Sequence, residues 1–227
     1  SWDKTIKIWD PETQRLLATL QGHTGEVKTV ACYTTQVGAV RTVRVVSGSD
    51  DNTVRIWDAD TQQLLATLKG HMSSVYAVAS YTTQAGAVRV VSGSWDKTIK
   101  IWDPETQRLL ATLQGHTKVN AVACYTTQVG AVRVVSGSGD KTVRVWDPDT
   151  QRLLATLQGH TNWVYAVASY TTQAGAVCVV SGSGDDTVRI WDPETQRLLA
   201  TLQGHTDWVK AVASYTTQAG AVRVVSG

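Results

Sequence analysis

The sequence predicts an all-β fold assembled from repeated four-stranded units, and three observations carry that prediction. The pair Gly-His recurs at Gly22-His23, Gly70-His71, Gly115-His116, Gly159-His160 and Gly204-His205, at successive intervals of 48, 45, 44 and 45 residues. The pair Trp-Asp recurs in step with it, at Trp9, Trp57, Trp102, Trp146 and Trp191. A fixed interval of this size marks a repeat architecture before any local propensity is weighed. Within each unit, four short runs rich in Val, Ile, Thr, Leu and Tyr alternate with clusters of Gly, Pro, Asp and Ser, and no run is long enough for a helix.

Taken in order, one unit has strands expected at residues 74–81, 87–92, 98–102 and 108–113. They are joined at 82–86, 93–97 and 103–107. These connections carry turn chemistry: Gly or Asp where a positive φ is easily adopted, and Pro104 where no strand amide needs a partner. The long unit holds three extra residues near Arg41 to Val43, and the short one lacks a residue after Thr117.

Composition narrows the function classes. With 227 residues, 42% of them hydrophobic, the chain can bury a core, and no composition shift marks a linker, so one domain over residues 1–227 is expected. The 21 Lys+Arg and 19 Asp+Glu are spread along the whole length, with no basic block to announce nucleic acid. Apolar runs fall short of the roughly 20 residues that span a bilayer, so no membrane contact is expected. The odd count of three cysteines, Cys32, Cys124 and Cys178, within apolar strand-like sequence and without any C-x-x-C or Cys/His pairing, points to buried thiols, no metal and no cofactor. A reducing, cytoplasmic setting is the corresponding expectation. Because the sequence opens at Ser1, any targeting segment would lie outside it.

The repeated G-H, S-G-S-x-D and W-D strings resemble the WD-repeat β-propellers, and the resemblance runs from Ser1 to Gly227. It implies four-stranded antiparallel blades stacked radially, with repeats broken near Gly22, Gly70, Gly115, Gly159 and Gly204. The family's hydrogen-bonded tetrad of His, Ser, Asp and Trp then falls on His23, Ser47, Asp51, Trp57; on His71, Ser92, Asp96, Trp102; on His116, Ser136, Asp140, Trp146; and on His160, Ser181, Asp185, Trp191. A fifth set would draw His205 and Ser226 from one end of the chain and Asp3 and Trp9 from the other. Joining Val224-Val225-Ser226-Gly227 to Ser1-Trp2-Asp3-Lys4-Thr5 recreates the internal string from Val90 to Thr98, which predicts a five-bladed propeller with its closing blade shared between the termini. Since rings in the family usually have seven blades, a stretch of a longer array is the alternative. Ser, His and Asp also compose a hydrolase triad, but a fivefold brace explains fivefold repetition better than five active sites do.

Comparing the units with one another separates what the blade demands from what is free to vary. Tyr-Thr-Thr-Gln-(Val/Ala)-Gly-Ala-Val and Asp-Pro-Glu-Thr-Gln are nearly constant, and in a propeller both emerge on one face. The conspicuous differences gather on the other face, at Glu26, Lys28, Tyr76, Asn162, Trp163, Tyr165, Asp207, Trp208 and Lys210 after the histidines, and at Trp2 and Trp95 beside the tetrad aspartates. Exposed Trp and Tyr beside Lys and Asp have the composition of an interface hot spot, and these positions match the family's usual partner-binding positions. The expected function is a non-catalytic scaffold for a protein or peptide, with a carbohydrate-binding propeller as the alternative. Nucleic acid is disfavoured by the mixed charge. A glycosidase is disfavoured because the variable face carries only Glu26, Asp50, Asp186 and Asp207 outside the tetrads, all unpaired in sequence.

Overall fold

The structure is a computed structural model describing residues 1–37 and 40–227. Every regular element among the described residues is a strand. The first pair is β1 (Ile6–Asp10) and β2 (Arg15–Leu20). Four complete sheets follow. The first is β3 (Val27–Val37), β4 (Val40–Ser49), β5 (Val54–Asp58) and β6 (Leu64–Leu68). The second is β7 (Val75–Thr82), β8 (Val88–Ser94), β9 (Thr98–Asp103) and β10 (Arg108–Gln114). The third is β11 (Val119–Thr126), β12 (Val132–Ser138), β13 (Val143–Asp147) and β14 (Arg152–Leu157), and the fourth is β15 (Val164–Thr171), β16 (Val177–Ser183), β17 (Val188–Asp192) and β18 (Arg197–Leu202). The chain ends on the pair β19 (Val212–Thr216) and β20 (Val222–Ser226). Within each sheet the order follows the sequence and every neighbour is antiparallel. Sheet-to-sheet contacts concentrate on the first strands, β3 with β7, β7 with β11, β11 with β15 and β15 with β19, as inner strands of a β-propeller do.

The core lies between sheets, because a lone four-stranded sheet has two faces and cannot cover either of them. Val143, Val145, Ala155 and Leu157 of the third blade pack on Val164, Val179 and Trp191 of the fourth, all buried. A close approach between sheets is made by the glycine of each Ser-Gly-Ser string. A Cβ on Gly48, Gly93 or Gly137 would lie 2.6 Å from Cγ1 of Val75, Val119 or Val164, the first residue of the next inner strand. These glycines serve proximity, and the left-handed backbone falls elsewhere: on Gly86 at φ 82°, Lys97 at 74° and Gln107 at 59° in the second blade. The expectation that Gly or Asp takes the positive φ in all three connections is thus met only in the first; in the others the turn places that conformation on the residue closing the loop.

The closing blade is not formed. β1–β2 and β19–β20 stay separate two-stranded sheets, each stacked on its neighbouring blade. The insertion at Arg41 to Val43 lengthens the β3–β4 hairpin, pairing Gln36 with Arg41 and Thr35 with Thr42. The thiols are unpaired, but only Cys178 is buried. Cys124 is half-buried and Cys32 exposed, because the inner strand β3 has no blade before it to cover that side.

Gly137→Ala should cost about 1 to 3 kcal/mol, the range for overpacking. Val164→Ala in the same chain should recover part of that loss, which a double-mutant cycle by urea unfolding would measure.

Candidate functional site

Two structures meet on one face: a buried brace in each blade and a row of aromatic side chains above it. The brace has the same geometry four times. In the second blade Trp102 Nε1 donates to Ser92 Oγ at 2.8 Å, Ser92 Oγ lies 2.7 Å from His71 Nε2, and His71 Nδ1 lies 2.7 Å from Asp96 Oδ2. The sets on Trp146, Ser136, His116, Asp140 and on Trp191, Ser181, His160, Asp185 repeat these contacts at 2.7 to 2.8 Å, and the set on Trp57, Ser47, His23, Asp51 at 2.7 to 3.1 Å. A carboxylate only accepts, so Nδ1 carries the proton; Nε2 then accepts from the serine hydroxyl, whose oxygen accepts from the indole. Each buried polar side-chain group of the brace thereby has a partner. The serine, histidine and aspartate are spaced as in an acyl-transfer triad, yet Ser47, Ser92, Ser136 and Ser181 are 0% exposed and no substrate can reach them.

The fifth set is only half assembled. His205 Nε2 lies 2.8 Å from Ser226 Oγ in an exposed setting, whereas Asp3 pairs with Lys7 at 2.9 Å and Trp9 is 56% exposed.

Electrostatics follow from burial. Desolvation lowers the titration of His23, His116 and His160 below the ordinary histidine value, outweighing the raising effect of the neighbouring aspartates. Burial acts to raise the paired carboxylates, but hydrogen bonds from Thr53 and His23 hold Asp51 at about 2, and those from Thr187, Thr161 and His160 hold Asp185 at about 2.

A β-bulge builds the upper layer. The register of the first two strands skips one residue between Val27 and Thr29, between Val75 and Ala77, between Val119 and Ala121, and between Val164 and Ala166. The skipped residues are Lys28, Tyr76, Asn120 and Tyr165, and a bulge of this kind re-aims the side chain out of the pleat. Tyr76 stacks on Trp95 at 4.2 Å and 4°, and Trp95 meets Trp163 edge-on at 6.5 Å. Trp163 lies 6.2 Å from Tyr165, which stacks on Trp208 at 5.5 Å. Lysines punctuate the row: Lys28 sits 5.6 Å from the Tyr76 ring, Lys118 lies 4.2 Å from Trp95 and 5.2 Å from Trp163, and Lys210 lies 5.6 Å from Trp208.

The remaining expected residues do other things. Asn162 donates to Gly184 O and accepts from the Trp163 amide, and Asp207 accepts from the Trp208 amide, so both shape turns. Glu26 pairs with Lys28, which also reaches Asp50. Trp2, 86% exposed, stands apart from the row. Two members of the variable segments lie outside the expected partner-binding set: Lys118, wedged between two indoles, and buried Asn120, which accepts the Trp95 indole N–H at 3.1 Å and donates to Val164 O. The one-residue deletion after Thr117 was the available signal. Glycines make room for the row, since Trp163 lies 3.4 Å from where a Cβ on Gly139 would stand.

The model of the WD40 family (WD domain, G-beta repeat) matches residues 14–58, 62–103, 107–147 and 151–192. The chain belongs to the WD40 repeat family. Each match spans the outer strand of one blade and the inner three of the next, such as β6 with β7, β8 and β9, so this WD40 repeat is offset from the blade by one strand. No curated protein matches the chain. WD40 proteins are generally protein-interaction scaffolds and typically non-catalytic.

Ser136→Ala removes the acceptor of one buried indole and the donor to one buried imidazole; it should cost about 1 to 3 kcal/mol, read as a lower urea midpoint. Stability should also fall with acid in two stages. The unfolded chain takes up protons near 6.5 on histidines that the fold keeps neutral, so stability present above that value is lost as pH falls through it. A second loss follows between 3.8 and about 2 as Asp51 protonates. Unfolding midpoints measured from pH 8 downward should be level at first and then show both declines.

Proposed function

We propose that this WD40 chain is a non-catalytic scaffold whose aromatic face holds a protein or peptide. The observation that supports the reading is the row from Lys28 through Tyr76, Trp95, Lys118, Trp163, Tyr165 and Trp208 to Lys210, which crosses blade after blade without a break. Rigid aromatic side chains give large contact area at small conformational cost, and Lys beside them gives orientation. The residues of the row divide by burial. Trp95, Trp163, Tyr76 and Tyr165 are half-buried and hold the platform together, while Trp208 is 49% exposed and offers its ring to a partner.

A carbohydrate-binding propeller would call for equivalent sites, whereas the positions aimed at this face hold three different residue types: Lys28 and Lys210, Tyr76 and Tyr165, and Asn120. Among the described residues no helix is long and apolar enough to cross a membrane.

Trp208→Ala should abolish peptide capture with little change in melting temperature, whereas Trp163→Ala should lower both. Capture is read by pull-down on immobilised peptides and stability by thermal unfolding. Capture unaffected by loss of Trp208 would sink the reading.

A further inference from the structure

The aromatic row offers many hydrogen-bond donors and few acceptors. Among the described residues the indole N–H of Trp95 is answered by Asn120, but those of Trp163 and Trp208 meet no protein acceptor. The ammonium groups of Lys118 and Lys210 lie over indole rings and, among the described residues, pair with no carboxylate, in contrast to Lys28, which pairs with both Glu26 and Asp50. Indole and ammonium groups donate and never accept, so this half of the row presents four unanswered donors, two of them fully charged. Of the nearby carboxylates, Asp207 caps the Trp208 amide and Asp140 and Asp185 are held by His116 and His160, while that of Asp186 stays unpaired among the described residues.

We propose that the stretch from Lys118 to Lys210 recognises an extended acidic peptide segment, with one carboxylate on each lysine and intervening side chains lying on Trp163, Tyr165 and Trp208. The proposal rests on the scaffold reading and adds the chemistry of the partner. The four steps along the stretch measure 5.2 to 6.2 Å each, so a strand-like segment of about seven residues, rising roughly 3.3 Å per residue, reaches from one ammonium to the other. The Lys28 end, where two carboxylates face one ammonium and leave a net negative charge, gives the bound segment a direction: acids toward the third blade and the C-terminal pair, uncharged residues toward Tyr76. A nucleic-acid strand fits less well, because a continuous polyanion would run against Glu26, Asp50 and Asp207 interspersed on the same face.

The test is selection from a random ten-residue peptide library on beads with the whole chain, followed by fluorescence-anisotropy titration of the selected peptides. Peptides enriched in Asp and Glu are expected. Lys118→Met and Lys210→Met should each weaken them by about tenfold, the loss of one charge-assisted hydrogen bond, while Arg152→Met on the opposite face should change nothing. Melting temperatures report whether Lys118→Met alters the platform itself; Lys210→Met, at an exposed position, keeps the test decisive if it does. Neutral or basic peptides whose binding requires Trp208 would overturn the acidic preference and leave the scaffold reading standing. No binding that requires Trp208 would overturn both. A ten-thymidine oligonucleotide that displaces the selected peptides and binds more tightly than they do would overturn the proposal in favour of single-stranded nucleic acid.

Discussion

Each blade hides a tryptophan whose ring nitrogen must be answered in the dark. Trp57, Trp102, Trp146 and Trp191 are almost fully buried, and an unanswered N–H in such a place would cost as much as the packing of several methyl groups provides. The answer is a serine on the neighbouring strand, and that hydroxyl must in turn be answered, so the chain of bonds runs outward through an imidazole until it ends on an aspartate near solvent. Everything on the upper face is placed by this sequence of obligations. The aspartate fixes the turn between second and third strands, where Thr98 also bonds to it, and the histidine fixes the loop entering the blade. The aromatic row stands on those two loops.

The same logic explains why the variable residues are less free than their variability suggests. Gly139 and Gly184 are not idle substitutions for a tryptophan; the loop of the next blade brings Trp163 against the first, and Asn162 and Tyr165 of its own blade lie against the second. At Gly139 a large side chain on one blade thus goes with a missing side chain on its neighbour. The row is a set of interlocked choices, and its more buried members brace adjacent blades while Trp208 remains open to solvent.

Much of this was legible in the sequence, for a definite reason. Strand limits in the second blade fall within two residues of expectation because Val, Ile and Thr runs and their flanking turn residues act locally. The partners of each buried hydroxyl could be listed because the period places them in register. What the sequence did not convey is geometry between modules. The string across Gly227 and Ser1 reads as an unbroken repeat, yet Trp9 and Ser226 do not meet, since pairing codes specify which strands suit each other and not the angle through which successive sheets turn. The role of Lys118 is illegible for a related reason: its position between two indoles depends on a loop one residue shorter and on side chains contributed by three different blades. Apolar, strand-like sequence around Cys32 predicts a buried thiol, and the absence of a preceding complete blade leaves it exposed.

The one-strand offset between repeat and blade bears on how such a chain can change length over evolutionary time. Because every copy lends its first strand to the sheet before it, duplicating or deleting a whole copy leaves each internal sheet with its proper complement, and no intermediate ancestor need carry a misassembled module. The near-identity of the copies is what such recent lengthening leaves behind. It also carries a kinetic hazard, since a strand can be accepted by the wrong sheet when all sheets are almost alike.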